Sequence, residues 1–127
     1  MSFPFDPQQR LIIVRAEMWG PNGSGVVRLA LDTGATWTVV NAAVLVVIGC
    51  DPALAPDRVQ VTTASGIETA PRVILHRFTA LGQALSAFPV LGHTLPPSIG
   101  VDGLLGLDFF RGQSLTIDFR TGQLILT

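Results

Sequence analysis

Short runs in which apolar and polar residues alternate, cut at close intervals by glycine- or proline-bearing turns, constrain this chain to a fold of many short strands. Residues 11–18 alternate, with Ile12, Val14, Ala16 and Met18 on one side and Arg15 and Glu17 on the other. Gly20-Pro21-Asn22-Gly23 reads as a turn, and residues 25–31 return as the second half of a hairpin with Val27, Leu29 and Leu31 on one face. Residues 58–63 and 71–81 read as strands joined through Ala64-Ser65-Gly66, and further strands fit 86–91, 114–119 and 123–127. Leu115, Ile117 and Phe119 alternate with Thr116 and Asp118, and Arg120-Thr121-Gly122 supplies the last hairpin turn. Two places read as helical. Asn41 suits the cap of a helix through Ile48, closed by Gly49, although the Val and Ile content there equally suits a strand. A short turn spans Asp108 to Arg111, with Asp108 as its cap. The sum is a mostly-β, barrel-like domain.

Composition bounds the function. At 127 residues there is room for one ordinary domain. Only 13% of residues are charged, about half the usual quarter, which points to a surface partly covered by a partner. The net charge of −1 leaves no basic stripe for nucleic acid. One cysteine, Cys50, excludes an internal disulfide framework or a zinc ribbon. His76 and His93 are too isolated in sequence to suggest a metal site, so no cofactor is expected; His76, alternating with Ile74 and Phe78, reads as a buried or interface histidine. The longest apolar stretch, Ala42 to Cys50, is too short for a membrane span. The first residues lack the pattern of a secretory signal, so a cytoplasmic location is expected.

The chemistry is concentrated in Asp32-Thr33-Gly34-Ala35, which follows the strand Val26–Leu31. A strand delivers the carboxylate to the end of a rigid element. Gly34 permits a tight turn and a close ligand backbone, and Thr33 can lock the turn. Chance places such a triplet in about 2% of chains this long, so the triplet alone is shared with ordinary turns. A second feature is the apolar run Leu104-Leu105-Gly106-Leu107-Asp108-Phe109-Phe110.

The two features in this order resemble the retropepsin-like aspartic proteases, the single-lobe relatives of the retroviral enzymes. The resemblance runs through residues 11–127 and extends to Trp37–Ala43 followed by Ile48-Gly49-Cys50, and to the closing hairpin Ser114–Phe119 and Gln123–Leu126. It implies a closed barrel with one or two short helices and residues 1–10 as an N-terminal arm, in a divergent, bacterial member of the family. It further implies an aspartic endopeptidase with Asp32 as the catalytic carboxylate, supported by Thr33, Gly34 and Ala35. Thr63, Ala64, Ser65, Gly66 and Ile67 would form a flap over the peptide, Trp37 would lie near the substrate, and Leu105, Gly106 and Asp108 would form the structural glycine motif.

Such hydrolysis needs two carboxylates sharing a proton across one water. Carboxylates that close cannot both ionise, the general situation of aspartic proteases, so they titrate as one coupled pair. The chain holds a single Asp-Thr-Gly and no Asp-Ser-Gly. A complete dyad would therefore come from a homodimer with one Asp32 from each subunit on the two-fold axis. The apolar strand Gln123–Leu126, a hazardous free edge in a monomer, points the same way. The alternative is a catalytically silent dimerisation or peptide-binding module on the same fold. Retroviral members carry an acidic residue two positions beyond the triplet, paired with an arginine directly after the later glycine; here those positions are Thr36 and Leu107, so substrate preference does not carry over. Pepsin-like relatives usually place Ser or Thr at the position of Ala35, which cannot donate a hydrogen bond to the ionised pair. A pH–rate profile is accordingly expected to peak at mildly acidic to near-neutral pH, and a maximum below about pH 3 would contradict this.

Overall fold

The computed structural model describes residues 1–63 and 65–127. The alternating segments become strands. The first hairpin is β2 (Ile13–Gly20) and β3 (Gly23–Leu31), paired from Ile13↔Ala30 to Gly20↔Gly23. Val14, Ala16, Met18, Val27 and Leu29 are buried on one face, as the alternation requires. After the Asp32 loop come β4 (Val39–Asn41) and α1 (Ala42–Val47). Asn41 caps this helix by accepting a hydrogen bond from the Ala43 N–H, which decides the helix-or-strand ambiguity for helix. A second hairpin joins β5 (Asp57–Thr63) to the 15-residue β6 (Gly66–Ala80), and β7 (Gln83–His93) returns beside β6. The chain closes with β8 (Gly103–Leu105), a 3-10 turn (Leu107–Phe110), β9 (Leu115–Asp118) and β10 (Gln123–Leu126).

The hydrogen-bonded order β2-β3-β8-β4-β7-β6 closes on itself through β6–β2 pairing, which makes a six-stranded barrel. Mostly-β content and a closed barrel with one short α-helix match the sequence reading. The barrel is filled by aliphatic side chains and an aromatic cluster, in which Phe78 meets Phe88 at 4.8 Å and Phe109 at 5.6 Å between ring centroids. The far half of β6 leaves the barrel and pairs only with β5, so this hairpin projects beyond the body.

Four expectations are sharpened or corrected. Residues 2–4 are a strand, β1 (Ser2–Pro4), which pairs antiparallel with β10 from Ser2↔Ile125 to Pro4↔Gln123, so part of the expected arm is built into a sheet. As a result β10 is the central strand of the order β1-β10-β9 and not a free edge. His76 is exposed on this subunit, which removes the buried reading and leaves the interface one: the buried–exposed alternation of β6 slips there, with His76 and Arg77 both outside, next to Ala87 at φ 51 in the facing strand. Phe119 lies beyond the end of β9 and is 65% exposed, its ring edge-on to Phe5.

The β9–β10 turn carries a charge-assisted latch. The Asp118 carboxylate accepts the Arg120 N–H (2.9 Å) and the Thr121 N–H (3.2 Å). The bonds from Thr121 and then Arg120 hold its pKa below the usual carboxylate value. A lowered folded-state pKa contributes stability that is full above the ordinary carboxylate range and is lost as pH falls through the lowered value. Asp118→Asn should therefore lose less stability than the parent between neutral and strongly acidic pH, as read by urea midpoints across pH. The group is exposed, so the difference is expected to be small and to shrink with salt.

Candidate active site

β3 carries the chain to Asp32, and the end of the strand is anchored on both sides. The Leu31 N–H donates to the Ile12 carbonyl (2.8 Å) and the Asp32 N–H to the Leu105 carbonyl (2.9 Å). β8 runs parallel to β3, pairing Leu29↔Gly103 through Leu31↔Leu105, and supplies that anchor. Beyond it the chain turns: the Ala35 N–H donates to the Asp32 carbonyl (3.2 Å) and the Gly34 N–H to Asp32 Oδ1 (2.9 Å). One carboxylate oxygen is thus fixed by backbone, and the half-buried side chain is set in orientation. Thr33 and Gly34 are exposed beside it, and Ala35 is half-buried.

The Gly106 segment lies directly against this loop. The Leu107 N–H donates to the Ala35 carbonyl (2.8 Å) and the Asp108 N–H to the Thr36 carbonyl (3.2 Å). A Cβ on Gly106 would stand 2.7 Å from the Trp37 carbonyl group, and one on Gly103 would stand 2.0 Å from the Val39 carbonyl oxygen. Backbone packs on backbone at both positions, which only glycine allows. Positions 36 and 107, which lack the ion pair of the retroviral pattern, are joined here by main-chain hydrogen bonds between the same two segments.

Asp108 is not the cap of the 3-10 turn; Gly106 occupies the cap position and makes no side-chain bond. The Asp108 carboxylate instead turns to Thr38, accepting from its N–H (2.9 Å) and its hydroxyl (2.7 Å). The same hydroxyl accepts the Gly106 N–H (3.1 Å), and the Thr38 carbonyl accepts the Leu91 N–H (3.0 Å). Thr38 is completely buried. The sequence reading passed over it, and the available signal was one hydroxyl residue beside the apolar pair Val39-Val40. Asp102 serves further back along β3. It accepts the Arg28 N–H on its carboxylate and the Asn41 N–H on its carbonyl, each at 2.8 Å. It sits beside Arg28, about 13 Å of strand away from Asp32.

The β5–β6 hairpin brings the remaining expected residues together at its tip. Thr63 pairs with Gly66, Ser65 and Gly66 are exposed, and Ile67 is 70% exposed; Ala64 lies outside the described residues. Trp37 meets the base of this hairpin, where the Arg72 guanidinium stands 5.8 Å from its ring centroid and pairs with Asp57. Cys50 is half-buried against the core, and burial pushes its thiol pKa up, as expected of an inert packing residue.

The sequence profile described as "gag-polyprotein putative aspartyl protease" matches residues 21–112, which take in the Asp32 loop, the hairpin and the Gly106 segment. The chain belongs to this family of retropepsin-like aspartic proteases. No curated protein matches the chain in sequence. Among solved structures, a retropepsin-like aspartic protease from Rickettsia conorii is similar over 99% of this chain and 88% of its own, with a TM-score of 0.71 at 17% identity. The retroviral protease-like domain of Ddi1 from Leishmania major matches over 94% and 90%, at a TM-score of 0.57 and 18% identity. The EIAV protease, complexed with an inhibitor, matches over 82% and 88%, at 0.56 and 15%. At these identities the likeness is one of fold. Thr38→Val should keep the shape but strand the Gly106 N–H and one Asp108 oxygen in the interior. A loss of about 1–3 kcal/mol in urea unfolding is expected, against little change for Thr116→Val on the exposed side of β9.

Proposed function

We propose that this protein is an aspartic endopeptidase whose dyad is assembled from Asp32 of two subunits. The observation that carries the reading is the half-buried Asp32 carboxylate at the end of β3, one oxygen held by the Gly34 N–H, in a loop packed directly against the Gly106 segment. Asp102 and Asp108 are committed to backbone and to Thr38. In the assembled site one Asp32 would take a proton from the attacking water, while the protonated partner would donate to the scissile carbonyl. The water's oxygen bonds to the carbonyl carbon, and collapse of the tetrahedral intermediate expels the amine, which takes up a proton. Thr33, exposed beside the carboxylate, would brace the two loops across the axis, and Gly34 and Ala35 would border the substrate backbone.

The hairpin fits the role of a flap. It joins the barrel sheet through the continuing strand β6, and it carries an aliphatic side chain, Ile67, in solvent at its tip. Closure over a peptide would bury that side chain and exclude water from the dyad. A homodimer, a peptide or protein substrate and a cytoplasmic location complete the reading. No helix among the described residues is long and apolar enough to cross a membrane.

Asp32→Asn tests the core of it. The neutral amide cannot act as the base, so cleavage of an unstructured protein at pH 4–8 should fall by at least about a hundredfold, while circular dichroism and elution volume stay as in the parent. Cleavage that survives the substitution, or a parent that is fully active as a monomer at micromolar concentration, would overturn it. A parent that folds and dimerises but cleaves nothing would favour the binding-module reading.

A further inference from the structure

A cavity of about 190 Å³ opens between the projecting hairpin and the barrel. That is space for about six waters at liquid density, or one long side chain. Val39, Leu91 and Leu104 line it from the barrel, and Val61, Glu68 and Ala70 from the hairpin. Its position is fixed relative to Asp32. Leu104 pairs with Ala30, two residues before Asp32 on β3, and the next residue, Leu105, holds the Asp32 N–H. Leu104 on the cavity wall is therefore offset from Asp32 by about two strand residues, or about 7 Å along the paired strands, while Asp32 itself does not line the cavity.

Glu68 is the unusual member of this lining. Its cross-strand partner is Val61, and the ion pair found among the described residues, Arg72–Asp57, leaves it out. Glu68 is exposed at the edge of the cavity, so in a chain with so few charges it gives a largely aliphatic interior a negative mouth. Two other groups able to carry charge lie nearby. His93 lies on the rim and also lines the neighbouring groove, and Arg58 faces that groove with its guanidinium donating to the Thr69 carbonyl and hydroxyl oxygens.

Lysine and arginine are the side chains that match this arrangement, with methylenes to lay along Val39, Leu91 and Leu104 and a cationic head to reach Glu68. We infer that this cavity binds a lysine or arginine side chain of the substrate, with Glu68 as the residue that determines that specificity. The inference rests on the peptidase reading for its substrate, an extended peptide running past Asp32.

The test compares lysine with norleucine, which has the same stem and no charge. A peptide library containing both is digested by the parent and by Glu68→Gln, and the products are read by mass spectrometry. Lysine should be preferred at one position by about fivefold, the factor that a partly exposed ion pair provides. In Glu68→Gln the ratio should fall to near one, and in Glu68→Lys it should turn in favour of glutamate. No lysine preference in an active parent, or a preference that survives Glu68→Gln, would overturn the inference. A second arm separates it from the fate of the peptidase reading. Fluorescence anisotropy on Asp32→Asn and on Asp32→Asn/Glu68→Gln measures binding of lysine- and norleucine-substituted peptides without cleavage. If the parent cleaves nothing, the peptidase reading fails, yet a lysine preference that vanishes in the double variant sustains the role of Glu68. Equal binding of both peptides to Asp32→Asn would end it.

Discussion

The buried side chain of Thr38 holds the site together. Through one hydroxyl, one N–H and one carbonyl it joins the loop that follows Asp32 to the 3-10 turn at Asp108, to Gly106 and to Leu91 of β7. The Gly106–Thr38 bond is buried and the two to Asp108 are partly so, which makes them worth more than surface bonds and costly to break. They also set how closely the two loops approach. With Gly106 pressed on the Trp37 carbonyl group, any side chain at position 106 would push the loops apart and release the grip of the Leu107 N–H on Ala35. The position of the Asp32 carboxylate is therefore decided by contacts made several residues away from it.

That arrangement explains how this chain can dispense with the ion pair of the retroviral pattern. Thr36 and Leu107 cannot pair, but their backbones lie in the same lattice that Thr38 and Asp108 complete. A buried ion pair recovers its desolvation cost only with near-perfect geometry. Main-chain bonds plus one carboxylate with two donors make the same connection between the loops without burying an arginine. The charge-poor composition is consistent with this, since an essential connection of the fold is made by backbone and a hydroxyl.

Much of the fold was legible because alternation fixes which face of a strand is buried, and Val14, Ala16, Met18, Val27 and Leu29 follow it without exception. The Asp32 loop was legible because Asp-Thr-Gly after a strand is rare enough to mean something when Leu-Gly-Leu-Asp follows it at the right distance. What stayed hidden depends on tertiary neighbours. Asp108 looks like a cap because it begins a short helical turn, yet its carboxylate finds Thr38, 70 residues back in the chain. His76 looks buried because it alternates with Phe78, but the alternation slips by one residue at that point and no local signal marks the slip. Glu68 and Val61 meet Leu91 and Leu104 only after the hairpin has folded over the barrel.

The terminal sheet bears on how two copies could meet. β10, the most apolar strand at the end of the chain, is flanked by β1 and β9 and has no edge to offer. Its buried side chains, Leu124 and Leu126, belong to the core of their own subunit. A dimer that completes a dyad would then draw on the other edges, β1 and β9 of this sheet and β5 of the larger one, or on the exposed Asp32 loops themselves. A strand edge supplies hydrogen bonds in a fixed register and little apolar area. The loops supply proximity of the two carboxylates, which repel when both are ionised and attract when they share a proton. In the proposed dimer association and protonation would be coupled, because a proton shared by the two carboxylates would favour both the catalytic pair and its assembly.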